Sequence, residues 1–225
     1  MAEIFDRWPE KYDQWFETPL GQLIRGYEGE LVLNLLLPSH GEFILDAGCG
    51  TGVFTVDILE TGAKVVGLEL SRPMLDRTMG KCRGRIFLPV RGDMRSLPFA
   101  DDSFDKSVSI TAIEFIEDAK AAVEEMFRVT KPGGNIVVAT LNSLSPWADR
   151  RKEAGKKGHP IFKHAVFRSP EEIAGLSPVE GVVQTAIHFK KNDDLDLAPQ
   201  IEKNGRERGL HTGAFVAVRW IKSKT

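Results

Sequence analysis

Two cysteines, Cys49 and Cys82, are all that 225 residues contain, too few for a disulfide framework or a zinc site built from thiolates. No run of about 18 consecutive apolar residues exists, so no segment is expected to span a bilayer. The opening stretch MAEIFDRWPEKYD carries acids and a proline where a secretory leader needs an apolar run, and the expected location is cytoplasmic. Internal repeats and low-complexity tracts are missing too. Charge of one sign is also lacking. Thirty lysines and arginines against 32 aspartates and glutamates leave a net charge of −2, a total that gives a nucleic-acid partner no support. With 42% apolar residues, the chain has enough to bury a core and is expected to form a soluble globule.

The element pattern changes once, near residue 41. Before it, Leu20, Leu23, Ile24, Tyr27 and Leu31 fall at helical spacing and Pro38 closes the segment, which predicts a helical cap over 1–40. From Glu42, short apolar runs alternate with helical stretches, the pattern of a doubly wound, mostly parallel α/β sheet. Strands are predicted at 43–47, 64–70, 86–90, 104–110 and 135–140, with helices near 53–60, after the N-cap Ser71, and over 118–129. Residues 142–168 show no clear strand or long apolar period and are read as an inserted lid or binding loop. Ser169-Pro-Glu-Glu172 is a capping box for a short helix, and the strands 182–189 and 214–221, joined by a polar stretch, are expected as an antiparallel hairpin at the sheet edge. The expectation is a single domain: cap 1–40, core 41–141, insertion 142–168, and C-terminal helix and hairpin 169–225.

In such a sheet ligands bind beyond the carboxyl ends of the strands. After the first strand comes Asp46-Ala-Gly48-Cys-Gly50-Thr-Gly52, whose glycines let backbone approach a ligand closely; alone, they also fit an ordinary tight strand-to-helix turn. The second strand ends in Glu69, 17 residues after Gly52, where a carboxylate can accept from both hydroxyls of a ribose. Together the two signals indicate a nucleoside. After the third strand, Gly92-Asp93-Met94 offers an acceptor for an adenine amino group and a thioether to pack on its ring, with a plain turn as the competing reading.

These motifs resemble those of a known family. ILDAGCGTG (44–52), VVGLELS (65–71), GDM (92–94), LPFADDSFD (97–105) and RVTKPGG (128–134) are similar, in order, to the motifs of class I S-adenosylmethionine-dependent methyltransferases, especially the group typified by ubiquinone and menaquinone biosynthesis enzymes. YDxWF (12–16) and SPEEI (169–173) add weaker support. The resemblance implies a seven-stranded Rossmann-like methyltransferase fold and S-adenosylmethionine as cofactor, with S-adenosylhomocysteine as product. It also implies that Asp46, Gly48 and Gly50 line the methionine portion, Glu69 holds the ribose, Leu70 and Met94 sandwich the adenine, and Asp93 binds its amino group. Met74 joins this set, and Thr111 falls where fourth-strand backbone holds the amino-acid end. Tyr12 and Trp15 match an aromatic pair that closes over the cofactor. Aromatic faces do attract a sulfonium, although aromatics at that spacing also staple a helix to a sheet.

Methyl transfer from a sulfonium needs no metal, and a base helps only when the nucleophile arrives protonated. Many relatives place a histidine where this chain has Phe115, so no single catalytic residue is assigned. Glu114, His159 and His164 are the candidates for a base. Residues 150–168 hold seven basic side chains against Glu153, a net +6 that leaves −8 on the remainder. One reading is a mobile solvated loop. The other is a lid, with Trp147 and Phe162 beneath it, that draws an anionic small-molecule acceptor. Other readings are a nicotinamide-dependent oxidoreductase, disfavoured by GCGTG in place of G-x-G-x-x-G, and a cofactor-binding module without activity.

Overall fold

The computed structural model describes residues 2–223. Its centre is a seven-stranded sheet formed by β1 (Phe43–Ala47), β2 (Lys64–Glu69), β3 (Phe87–Arg91), β4 (Lys106–Ile110), β5 (Asn135–Leu141), β6 (Val182–Ala186) and β7 (Phe215–Ile221). The order is β3-β2-β1-β4-β5-β7-β6. The first five pair in parallel, while β7 runs antiparallel to both β5 and β6, so the expected C-terminal hairpin is present, with β7 inside it. Strands β1, β5 and β7 are mostly apolar runs because helices cover both faces of the sheet, and β4 is buried as well although it carries Ser107 and Ser109.

One face packs on α3 (Pro19–Leu36) and α4 (Thr55–Glu60), through Leu31, Leu35, Ile44, Ile58 and Val65. The other packs on α6 (Ala119–Val129) and α8 (Pro170–Ala174), through Met126, Val129, Ile136, Ile173 and Trp220. Helices α1 (Ala2–Phe5) and α2 (Pro9–Glu17) precede α3, and α5 (Arg72–Lys81) joins β2 to β3. The helix starts follow local chemistry. Ser71 Oγ accepts from Met74 N, Asp118 Oδ1 accepts from Ala121 N at 3.0 Å, and Ser169 with Glu172 closes the predicted capping box.

Two helices lie where the sequence predicted none: α7 (Pro146–Lys156), inside the 142–168 insertion, and α9 (Ala198–Glu207), inside the polar stretch joining β6 to β7. Neither has an apolar stripe to read. In α7 only Trp147 and Ala148 are buried, and the inward residues of α9 are Ala198, Glu202 and Gly205. Strand ends also moved: β4 begins at Lys106, with Phe104 making only an isolated bridge to Thr130, and β6 stops at Ala186.

Glu202 anchors α9 although it is 2% exposed. One oxygen accepts from His188 N (2.7 Å) and faces Nδ1 of the same residue (3.1 Å), while the other accepts from Arg206 Nε at 2.7 Å. These partners, chiefly the His188 side chain, overcome burial and hold the Glu202 carboxyl down at about 2; the same contact raises His188 despite its burial. A depressed acid stabilises the fold above its unfolded value and loses that as pH falls through its folded value, whereas a raised histidine loses its contribution as pH rises through its folded value. The pair is therefore at full strength between about pH 4.5 and 6.5. Thermal unfolding between pH 2 and 5 should show the wild type losing on the order of 2–3 kcal/mol more stability on acidification than Glu202→Gln; parallel profiles would show that the contact does not act in this way.

Candidate functional site

Strand order reverses between β1 and β4, and a cavity of about 600 Å³ opens beyond their carboxyl ends. Every residue named above for the cofactor lines it: Tyr12, Trp15, Asp46, Gly48, Gly50, Glu69, Leu70, Met74, Asp93, Met94 and Thr111. Gly48 lies immediately beyond β1 with φ 83°, and a Cβ there would stand 2.5 Å from that of Ala112, so the turn after β1 and the turn after β4 touch only because one side chain is absent. Glu69, at the end of β2, accepts from Gly50 N at 3.0 Å and from Ser71 N at 2.8 Å, one bond per oxygen. Each oxygen keeps a lone pair for a ligand hydroxyl. Burial raises the Glu69 carboxyl against these hydrogen bonds. Asp46, which accepts from Thr55 Oγ1 at 2.6 Å, is pushed up by burial to about 7. A cation arriving beside two such acids offsets what their desolvation cost.

Three expected residues are more engaged than the sequence suggested. Asp93 lines the cavity, but its carboxylate holds Arg95 in a bidentate pair at 2.6 to 3.1 Å, so an adenine amino group would share it. Thr111 has φ 48°, a left-handed conformation unusual for a β-branched residue. Its hydroxyl lies 3.3 Å from the Tyr12 hydroxyl, and burial raises the Tyr12 phenol.

The base candidates separate. Glu114, in a short 3-10 turn (Ile113–Phe115) after β4, is fully buried and lines the cavity. His159 also lines it, stacked on Phe162 at 4.4 Å, but Nδ1 accepts from the backbone N–H groups of Ile161 and Phe162 and is occupied in holding that turn. His164 is exposed and lies off the cavity, on the outer side of the 3-10 turn Phe162–His164. The insertion divides too. Arg150 and Arg151 line the cavity, with Trp147 and Phe162 beside them; Lys152, Lys156, Lys157 and Lys163 are exposed, and Arg168 donates to the carbonyls of Ile113 and Ile116.

Several residues that line the cavity or fasten the cap beside it escaped the sequence reading. Asp13 ties the cap to the glycine turn, accepting from Thr51 Oγ1 and Lys81 Nζ, both at 2.6 Å, and Asp6 accepts from Ser71 Oγ at 2.6 Å. Phe5 meets Phe115 edge-on at 4.9 Å. Glu28 is 4% exposed on the inward face of α3. Its signal was available: it falls between Ile24 and Leu31 at helical spacing, a charge inside an apolar stripe.

Residues 45–138 match a family model described as a methyltransferase domain. The malonyl-acyl-carrier-protein O-methyltransferase of Pectobacterium atrosepticum is 34% identical over 217 residues, covering 87% of this chain and 83% of that protein. The demethylmenaquinone methyltransferase of Paenarthrobacter aurescens is 35% identical over 180 residues, covering 79% and 70%. With two Erwinia proteins of the first name, at 33% and 34% identity, the match spans only 64% and 55% of their length. Among solved structures, a SAM-dependent methyltransferase from Thermotoga maritima, described as a possible histamine N-methyltransferase, is 27% identical with a TM-score of 0.78, covering 99% of this chain and all of that one.

The contact between the two turns predicts opposite outcomes at its two sides. Gly48→Ala adds a clash and a strained φ and should cost about 2–4 kcal/mol in denaturant unfolding, whereas Thr111→Gly relieves strain and should stay within about 1 kcal/mol of the wild type. Equal losses would mean that the turns do not pack as described.

Proposed function

The chain belongs to the S-adenosylmethionine-dependent methyltransferase family, and from that membership we propose that it transfers a methyl group to a small-molecule acceptor held in the same cavity as the cofactor. The observation that carries this reading is the Glu69 carboxylate, set between Gly50 N and Ser71 N on the cavity wall with acceptor capacity to spare. In this reading Glu69 receives the ribose diol, Leu70 and Met94 flank the adenine, and Asp93 takes its amino group beside Arg95. Asp46, Gly48, Gly50 and the backbone of Thr111 hold the methionine end, and Tyr12, Trp15 and Met74 close over it. S-adenosylmethionine supplies a methyl carbon on a sulfonium whose leaving group departs as a neutral thioether. The protein's own work is to hold the acceptor in line and keep water out. The helical cap and the 142–168 insertion act as the lid for that purpose, since Trp8, Trp147 and Phe162 line the cavity from these two segments.

The acceptor is further proposed to carry an anionic group. Lys11, Arg150 and Lys191 line the cavity, with Lys11 over the Trp8 ring at 5.0 Å and Lys191 over Trp15 at 5.9 Å. Cations seated on aromatic faces beside the opening favour a small anion over a neutral molecule.

Calorimetry with S-adenosylhomocysteine should show Glu69→Ala weakening affinity by about 1–3 kcal/mol, the cost of leaving a buried diol without its acceptor. Unchanged affinity removes the assignment. Labelled methyl groups supplied with a fractionated cell extract should appear in the low-molecular-weight fraction, and Arg150→Ala should slow that transfer while Lys152→Ala does not. Label in the macromolecular fraction would overturn the small-molecule acceptor, and equal behaviour of the two variants the anionic one.

A further inference from the structure

Away from Glu69, the cavity is lined by three ionisable side chains from three elements: the buried Glu28 of α3, the buried Glu114 after β4, and Arg151 of α7, which is partly exposed but has a buried Nη1. Glu114 Oε2 accepts from Thr140 Oγ1 at 2.9 Å, but Oε1 is buried without a partner, and so is Arg151 Nη1. Arg151 senses both acids and is sensed by both, and Glu28 senses Glu114 as well; Arg151 lies 5.5 Å from the Trp147 ring centre, yet among the described residues no ion pair joins any two of the three. Buried charges that face one space without touching are costly unless something between them completes their bonding.

The chemistry of the missing group follows from a charge count. Arg168, which Glu114 also senses, lies off the cavity and is turned to the Ile113 and Ile116 carbonyls, so on the cavity side two acids face one guanidinium, one positive charge short when both acids are ionised, and the open acceptor on Glu114 needs an N–H or O–H donor. An alcohol brings the donor without the charge, and a carboxylate brings the wrong charge. We propose that the acceptor is a primary or secondary amine, received as its ammonium by Glu28 and Glu114, and that Glu114 Oε1 takes its proton before methylation at nitrogen. This rests on the methyltransferase reading above and narrows it to a substrate class. The proton passes from nitrogen to the carboxylate, and the freed nitrogen pair forms the new N–C bond as the C–S bond breaks and its electrons stay on sulfur. The product leaves as a methylated ammonium, so the positive charge is kept. An anionic group elsewhere on the same molecule would reach the cations near the opening.

The protonation of the empty site fits this use. Burial pushes Glu28 up to about 8 and Glu114 up to about 7, with Arg151 opposing both. An ammonium favours the ionised acids, so its binding near neutral pH expels protons, and affinity rises with pH over this range.

The test uses three probes that share a phenylethyl group on wild-type protein loaded with S-adenosylhomocysteine: 2-phenylethylamine, 2-phenylethanol and 3-phenylpropanoate, titrated by calorimetry at pH 7 in two buffers of different ionisation heat. The amine is expected to bind at least tenfold tighter than the other two and to release protons. Glu28→Gln and Glu114→Gln should each weaken the amine tenfold or more while leaving S-adenosylhomocysteine affinity unchanged. An amine no tighter than the alcohol, including no binding by either, overturns the proposal, and so do Gln variants that retain amine affinity. Failure of S-adenosylhomocysteine itself to bind the wild type would instead strike the methyltransferase reading. The trio on wild-type protein decides the matter even if a variant fails to fold.

Discussion

The Glu69 carboxylate holds two strand-to-helix turns in register. One oxygen takes the N–H of Gly50 in the turn after β1, and the other takes the N–H of Ser71, where α5 begins. Both N–H groups lie where the chain leaves the sheet and has no ladder partner, so without this acceptor they would have to be satisfied by solvent. The cap is fastened to the same two turns, through Asp13 to Thr51 and Asp6 to Ser71. A single side chain thus sets the position of the glycine turn, the start of α5 and, through their hydroxyls, the seating of the N-terminal helices. The apolar core meets the same frame, since Val53 and Phe54 of one cluster and Leu68 and Met94 of the other line the cavity.

The frame was legible because it is made of the strongest local signals. Parallel strands buried on both faces tend to be apolar runs, as β1, β2 and β5 are, and these three and the serine-bearing β4 were readable to within two residues at either end. The turns between them announced themselves through glycine, serine and aspartate. What escaped were elements whose inward faces are not apolar. Helix α9 rests on Glu202 and Gly205, and Gly205 is small because a Cβ there would stand 2.2 Å from the His188 ring, so tertiary packing determines a helix that periodicity cannot. Helix α7 had a readable start, since Ser145 accepts from Ala148 N ahead of Pro146, the same serine-proline opening that marked α8. With only Trp147 and Ala148 buried, however, nothing sustained the pattern.

The site divided along the same line. Residues at strand ends sit where the chain must put them, and the eight expected there line one cavity, with Met74 from the start of α5. Residues brought in from the cap and the insertion depend on how helices dock, which a single sequence does not state. So Tyr12 and Trp15 were found, but Asp13 between them in the chain, Glu28 one helix later and the inward turn of Arg151 were not. Glu28 is the instructive case. A helix that places a carboxyl in its apolar stripe gives up stability for a reason outside the helix, and the stripe itself shows the position.

Charge changes meaning in the same way. The excess of +6 on residues 150–168 is mostly solvent-facing, and two of its seven cations reach the cavity. An exposed lysine in water interacts weakly over distance, because solvent and salt screen it within roughly 10 Å. A guanidinium whose Nη1 is buried, facing the same space as two buried carboxyls, acts at short range and in a medium that screens far less. Arg151 therefore outweighs the four exposed lysines of its own segment in the field inside the cavity. Its position also couples the insertion to the core: Arg151 faces the cavity with Trp147, 5.5 Å away, as its neighbour, and Trp147 is fixed by donation of its Nε1–H to the Phe189 carbonyl at 2.8 Å. Phe189 leads into the segment that Glu202 secures through His188. The buried acid on α9, far from any ligand, thus belongs to the support of the cavity wall, through His188, Phe189 and Trp147 in turn.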